Sequence, residues 1–239
     1  MPPKKLKLVS FDVWDTLLSI TAFYRDVALE LSRILETSPV MMEDKLVDGY
    51  RKVRALRRAG KFDDSKIVPA ALETIAKILC ASPETVAKAI HNAVENSTPT
   101  YYVMDGALET LSYVKEFGLK VAVVGNVVFW PGTHNRILLE KAGLSNFIDE
   151  QFYADEVGFS KPKSEIFTKM LSRFNVEPHE ALHVGDSLFE DLAGAVLANM
   201  NAVLIDKNVN SVIRLSSWSA YIIPNIKLLE QVVRELEKH

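Results

Sequence analysis

Hydrophobic and polar positions change rhythm along the chain. Lys5 to Phe11 alternates and then turns apolar, which predicts a strand buried on both faces that delivers Asp12 at its C-terminal end. From about Ile20 to Tyr101 the spacing is helical throughout. Phe23, Tyr24, Val27, Leu31, Ile34 and Leu35 share one face, and Leu46, Tyr50 and Val53 another. Ser38-Pro39 and Ser82-Pro83-Glu84 predict helix starts with proline in the first turn, and Gly60 predicts a helix stop. After Asp105-Gly106, helices alternate with short apolar runs. Leu108, Leu111 and Val114 predict a helix, Leu119 to Val124 a strand, and Ile137 to Leu139 a helix closed by Gly143. Ile166, Phe167, Met170, Leu171 and Phe174 mark the next helix, Ala181 to Val184 a strand, and Leu192 to Val196 a helix. Asn201 to Ile205 and Tyr221 to Ile223 read as strands before a final helix from Ile226.

Strands separated by helices imply a parallel sheet covered on both faces. The predicted fold is therefore α/β: a Rossmann-like core from residues 1–19 and 102–239, with an all-helical cap, residues 20–101, inserted after the first strand. A chain of 239 residues accommodates both units.

Composition excludes some function classes. With 28 Lys+Arg against 31 Asp+Glu, the net charge of −3 provides no basic field for nucleic acid. No run approaches the roughly 20 apolar residues of a membrane span. Met1 to Lys7 leads into a strand-like run broken by Asp12 and Asp15, not into an apolar signal segment. The lone Cys80 lies in an apolar helical pattern, forms no intramolecular disulfide and reads as a small core residue, which fits a cytoplasmic protein.

Three predicted strand ends carry polar clusters: Asp12 to Thr16, Gly125-Asn126, and Gly185-Asp186-Ser187, with Lys161 between the last two in sequence. If the strands are neighbours, these ends meet in one crevice at the carboxyl edge of the sheet, together with Asp191. Two like charges about 4 Å apart repel by roughly 4 kcal/mol at an effective dielectric of 20, so protons or a cation must intervene. An all-oxygen carboxylate set favours Mg²⁺ over zinc.

Phe11-Asp12-Val13-Trp14-Asp15-Thr16-Leu17 resembles the first motif of the haloacid dehalogenase superfamily, D-x-D-G-T-L. Val121 to Asn126 is similar to the second, where a strand ends in Ser or Thr before Asn, and Ser160 to Phe167 to the third, K-P-x-x-x-I-F. His183 to Ala195 resembles the fourth, G-D-S-x-x-x-D-x-x-G-A, almost residue by residue. The resemblance spans nearly the whole chain. It implies Asp12 as nucleophile, Lys161 as its orienting cation, and Mg²⁺ held by Asp12, the Trp14 carbonyl and Asp186 with support from Asp191. Thr16, Gly125 and Asn126 fall where the family binds substrate. The implied activity is hydrolysis of small-molecule phosphate monoesters through an aspartyl-phosphate.

The chain also departs from that pattern. Trp14 stands where family phosphatases carry the aspartate that protonates the leaving group, and indole cannot do acid–base work. An aromatic residue there resembles the family's dehalogenases, which make 2-haloacid dehalogenation an alternative. Those enzymes work without metal and lack the acid at Asp186, and they tend to carry Tyr where this chain has Phe167. Gly125 replaces the second-motif hydroxyl, and Asp15, one position late, is the candidate replacement acid/base. A third reading is a non-catalytic phosphometabolite-binding or regulatory protein. Arg51, Arg54 and Arg58 form a helical stripe, expected as a solvated face or alternatively as a selector of anionic substrates. His134 and His179 read as loop residues and His183 as a strand residue, none with metal-ligand spacing.

Overall fold

The computed structural model describes residues 6–238, so the expected strand start at Lys5 lies outside the described residues. β1 (Leu8–Phe11) is fully buried and lies inside a seven-stranded sheet. It is followed by four helices, α1 (Ile20–Leu35), α2 (Pro39–Arg58), α3 (Ile67–Leu79) and α4 (Pro83–Asn96). The remaining elements mostly alternate between helix and strand. They are α5 (Ala107–Glu116), β2 (Lys120–Gly125), α6 (Gly132–Lys141), β3 (Glu150–Tyr153), the single turn α7 (Ala154–Val157), α8 (Ser164–Phe174), β4 (Ala181–Gly185), α9 (Ala193–Leu197), β5 (Asn201–Ile205), β6 (Ile213–Leu215), β7 (Ala220–Ile223) and α10 (Leu229–Leu236).

The seven strands lie in the order β3-β2-β1-β4-β5-β7-β6, parallel except for β6. Alternation along the central strands divides the core. Val9, Phe11, Val121 and Val123 face one way, with Leu111, Leu138 and Val232 of α5, α6 and α10. Leu8, Ala122 and Val124 face the other, with Ile166, Phe167 and Met170 of α8. This is a Rossmann-like α/β sheet with helices on both faces. Phe11 is level with Val123 of β2 and with Val184 of β4, so the residues just beyond all three strands emerge at one edge.

α1 packs on α2 and α4, and α2 on α3, while Phe23 and Tyr24 of α1 also pack on Trp14, Phe129 and Trp130 outside the helical stretch. Its starts follow the expected chemistry. Ser82 Oγ accepts from Thr85 N–H at 3.2 Å, Pro39 occupies the first turn of α2, and Gly60 follows its end at φ +67°. Cys80 corrects the sequence reading. α3 stops one residue earlier, and Cys80 takes a left-handed conformation (φ 55°) that carries it to the surface as an exposed thiol. His134 also differs, lying on α6 and not in a loop.

β3 and β6 went unread because edge strands bury little. β3 mixes Glu150 and Gln151 with Phe152 and Tyr153, and β6 has three residues, two of them exposed. Among the described residues no helix is long and apolar enough to cross a membrane.

Candidate active site

Asp12 leaves β1 with its N–H donated to Val184 O at 2.9 Å, which ties the turn to β4. Lys161, only 2% exposed, reaches the same spot from the loop before α8. Its ammonium donates to Asp12 Oδ1 at 2.7 Å, Asp191 Oδ1 at 2.6 Å and Val124 O at 2.6 Å, filling its three N–H positions. Asp12, Asp186 and Asp191 each offer an oxygen, all within 4.8 Å of one another. The three strand ends therefore converge as the sequence suggests.

Crowding separates the protonation of these carboxylates. Burial pushes Asp12 up to about 6, with Lys161 opposing and Asp191 adding to the rise. Asp186 is pushed up to about 8 by burial and by the charges of Asp12 and Asp191. Burial would raise Asp191 too, but the Lys161 charge and the His183 hydrogen bond more than reverse it and hold it well below the usual range. Asp191 is fully engaged: Oδ1 meets Lys161 and His183 Nε2 (3.2 Å), and Oδ2 accepts from Ser187 N–H at 2.9 Å. Asp12 and Asp186 are the half-buried pair turned toward the cavity, while Asp191 fixes Lys161.

Asn126 positions Lys161 through its backbone. Its Oδ1 accepts from Lys161 N–H at 2.8 Å and its Nδ2 donates to Lys161 O at 3.0 Å. Gly125 is glycine for a steric reason, since a Cβ there lies 2.8 Å from Cε1 of Tyr153. The Tyr153 ring occupies the room a second-motif hydroxyl needs.

The turn after Asp12 is tightly built. Asp15 adopts φ 57°, donates its N–H to Leu18 O at 2.6 Å and accepts from Ile20 N–H at 3.2 Å through Oδ1. Burial raises its pKa. Asp15 and Asp186 border two spaces: a small cavity of about 50 Å³ over Asp12, and an open groove of about 720 Å³ beside Asp206 and Lys207. Thr16 lines the groove, with Oγ1 buried and unpartnered among the described residues. Trp14 is built into an aromatic wall, stacked on Phe23 at 5.3 Å and edge-on to Trp130 at 5.7 Å.

Residues 6–199 match the model of the haloacid dehalogenase-like hydrolase family. The chain belongs to that family. Mouse haloacid dehalogenase-like hydrolase domain-containing protein 3 is 28% identical over 251 residues, covering 98% of this chain and 96% of that protein. A protein of Halopiger xanaduensis named ribulose-1,5-bisphosphate 5-phosphatase is 35% identical over 105 residues, 44% of this chain and 43% of its own length. A magnesium-bound HAD hydrolase from Bacillus subtilis, for which interdomain movement is described, shares the fold at TM-score 0.76 and 19% identity, covering 96% of this chain and 99% of that one.

Within this family frame, two ties join the helical stretch to the site, and neither was read from sequence. Glu190, in the fourth motif, is 6% exposed and gathers Arg54 (3.0 Å), Arg57 (2.9 Å) and Arg58 (2.9 Å) of α2. Arg51 is solvated, as one expectation held, but Arg54 turns inward, the buried Arg57 joins it, and the exposed Arg58 reaches Glu190 from the surface. Asp64 accepts from Ser160 N–H at 3.0 Å, Ser160 Oγ at 2.8 Å and Lys163 Nζ at 2.7 Å, beside the Lys161 loop. Arginines spaced for one helix face, with no acid of their own helix to answer all of them, were the available signal for the first tie. The second had none.

Proposed function

We propose that this hydrolase is a Mg²⁺-dependent phosphatase of small-molecule phosphate monoesters, with residues 20–101 acting as a cap over the site. The observation that carries the reading is the ion pair of Asp12 with Lys161 beside Asp186 and Asp191. An all-oxygen set of half-buried and buried carboxylates suits a hard divalent cation. Asp12, Asp186 and the Trp14 carbonyl would hold it, with Asp191 behind them, and bound there it supplies positive charge to the phosphoryl oxygens.

The chain's own groups do the rest. Lys161 holds the Asp12 carboxylate ionised and aimed. A bond forms from an Asp12 oxygen to phosphorus as the bond from phosphorus to the leaving oxygen breaks. Asp15 gives that oxygen its proton, then takes one from the water that attacks the aspartyl-phosphate, releasing phosphate and restoring Asp12. Burial raises its pKa, the direction an acid needs, and it borders both the cavity and the open groove. Asn126 lines the cavity over Asp12 and braces Lys161, Thr16 lines the adjoining groove, and Gly125 ends β2 with backbone alone.

The test is hydrolysis of p-nitrophenyl phosphate by wild type and Asp12→Asn, with Mg²⁺ and with EDTA. Turnover that needs both Asp12 and metal supports the proposal. Trp14 favours one rival, because halide leaves without a proton; halide release from 2-chloropropionate that survives EDTA would replace the phosphatase reading with dehalogenation.

A further inference from the structure

α2 brings three guanidinium groups to one carboxylate. Glu190 Oε1 accepts from Arg54 Nε and Arg58 Nε, and Oε2 meets Arg57 and Asn126 Nδ2 (3.3 Å), so both of its oxygens are fully used. Arg54 and Arg58 reach further, to Ser187 Oγ at 3.2 and 3.5 Å, and Arg57 donates to Val127 O at 3.2 Å. Glu190 is the one carboxylate in direct contact with the three arginines, and across the cavity Arg54 also feels the charge of Asp186. Arg57, with a side chain only 5% exposed, depends on Glu190 for its counter-charge, since a buried charge without a partner is costly.

Arg54, Arg57 and Glu190 line the small cavity that also contains Asp12 and Asp186. At about 50 Å³ it has room for only a few water molecules. The open groove shares Asp15 and Asp186 with this cavity, and the arginines of α2 form the wall across from Asp12. The strand-end side of the cavity is filled by Asp12, Asn126 and Asp191, with Lys161 beneath, and serves the phosphoryl group. The body of the substrate therefore lies toward α2.

Building on the phosphatase reading, we propose that the substrate carries a second anionic group, a carboxylate or phosphate, beside the scissile phosphate. Arg54 and Arg57 bind that group. Glu190 is their internal stand-in, keeping both forks aimed into the cavity when no substrate is present. Arg51, solvated on the same helix, takes no part.

The experiment compares substrates of matched skeleton: 3-phosphoglycerate against glycerol 3-phosphate, which differ in carboxylate versus hydroxymethyl, and fructose 1,6-bisphosphate against fructose 6-phosphate. The readout is the ratio of kcat/KM within each pair. Wild type and Arg51→Gln prefer the member with the second anion by about tenfold or more, the scale of one charged hydrogen bond. In Arg54→Gln and Arg57→Gln that ratio collapses toward one, mainly through KM, whatever happens to absolute rates. Which pair shows the preference identifies carboxylate or phosphate. A wild-type ratio near one in both pairs, or equal losses on both members in the variants, overturns the proposal. Should no substrate turn over, calorimetric binding of 3-phosphoglycerate and glycerol 3-phosphate to Asp12→Asn reads the same preference. Absent turnover with the preference intact then counts against the phosphatase reading alone, and absence of both counts against both.

Discussion

The Lys161 ammonium lies 2.6 Å from Oδ1 of Asp191, and both side chains are almost wholly buried. One cation here serves two carboxylates, the second being Asp12 at 2.7 Å. Lys161→Met leaves both acids without their shared partner. We expect a loss of about 3–5 kcal/mol in metal-free stability, the usual cost of halving a buried pair, and loss of phosphatase turnover. Urea unfolding in EDTA checks the first and p-nitrophenyl phosphate assays the second. A variant as stable as wild type would show that the two acids are protonated in the folded protein.

Asp191 has a second tie, through His183. Burial lowers the pKa of His183, and a neutral ring has one N–H. Asp191 can only accept, so Nε2–H donates to it at 3.2 Å and Nδ1 accepts from Ser10 Oγ at 2.8 Å. His183→Leu removes both bonds and should cost about 1–3 kcal/mol. His183→Gln, which can still donate to Asp191, should recover part of the stability and turnover. Equal defects in the two variants would mean that ring shape, not the hydrogen bond, is what matters.

Glu190 makes the tie between α2 and the fourth-motif loop sensitive to acid. Burial would raise its pKa, but Arg57 and Arg54 together outweigh that and hold it at about 2, below its ordinary 4.5. A depressed folded value means the stabilisation is complete above 4.5 and fades as pH falls from there toward 2, up to about 3 kcal/mol in all. The difference in melting temperature between wild type and Glu190→Gln should therefore be constant from pH 7 to 5 and narrow below 4.5. A gap that widens in acid has the wrong sign.

Asp15 is tested by leaving-group chemistry. Asp15→Asn should lower kcat by about 10²–10⁴ on alkyl phosphates and much less on p-nitrophenyl phosphate, whose leaving group hardly needs a proton. Equal losses on both would indicate damage to the turn, where Asp15 holds Ile20 N–H.

Gly125 is paired with Tyr153. Gly125→Ser forces its Cβ against the Tyr153 ring, 2.8 Å from Cε1, and should cost about 1–3 kcal/mol. In Tyr153→Leu the same change should cost far less, a coupling that a double-mutant cycle measures directly. Additive effects would remove the steric explanation.

Periodicity and motif spacing were enough for the parallel core, the helical stretch after β1 and the convergence of Asp12, Lys161, Asp186 and Asp191, because each depends on local pattern plus neighbouring strands. β3 and β6 escaped, since edge strands carry no clear alternation. Cys80 was misread because helix periodicity does not register the left-handed residue that ends α3.

What only the tertiary structure decided lies between segments far apart in sequence. Glu190 and Arg54 are separated by 136 positions, and Asp64 and Ser160 by 96. A charged residue on a helix looks the same in sequence whether it faces water or an acid brought over by another element. The sequence by itself determined which chemistry meets at the sheet edge. How α2 covers it was settled by long-range packing, because burial of a charge depends on the partner that the fold supplies.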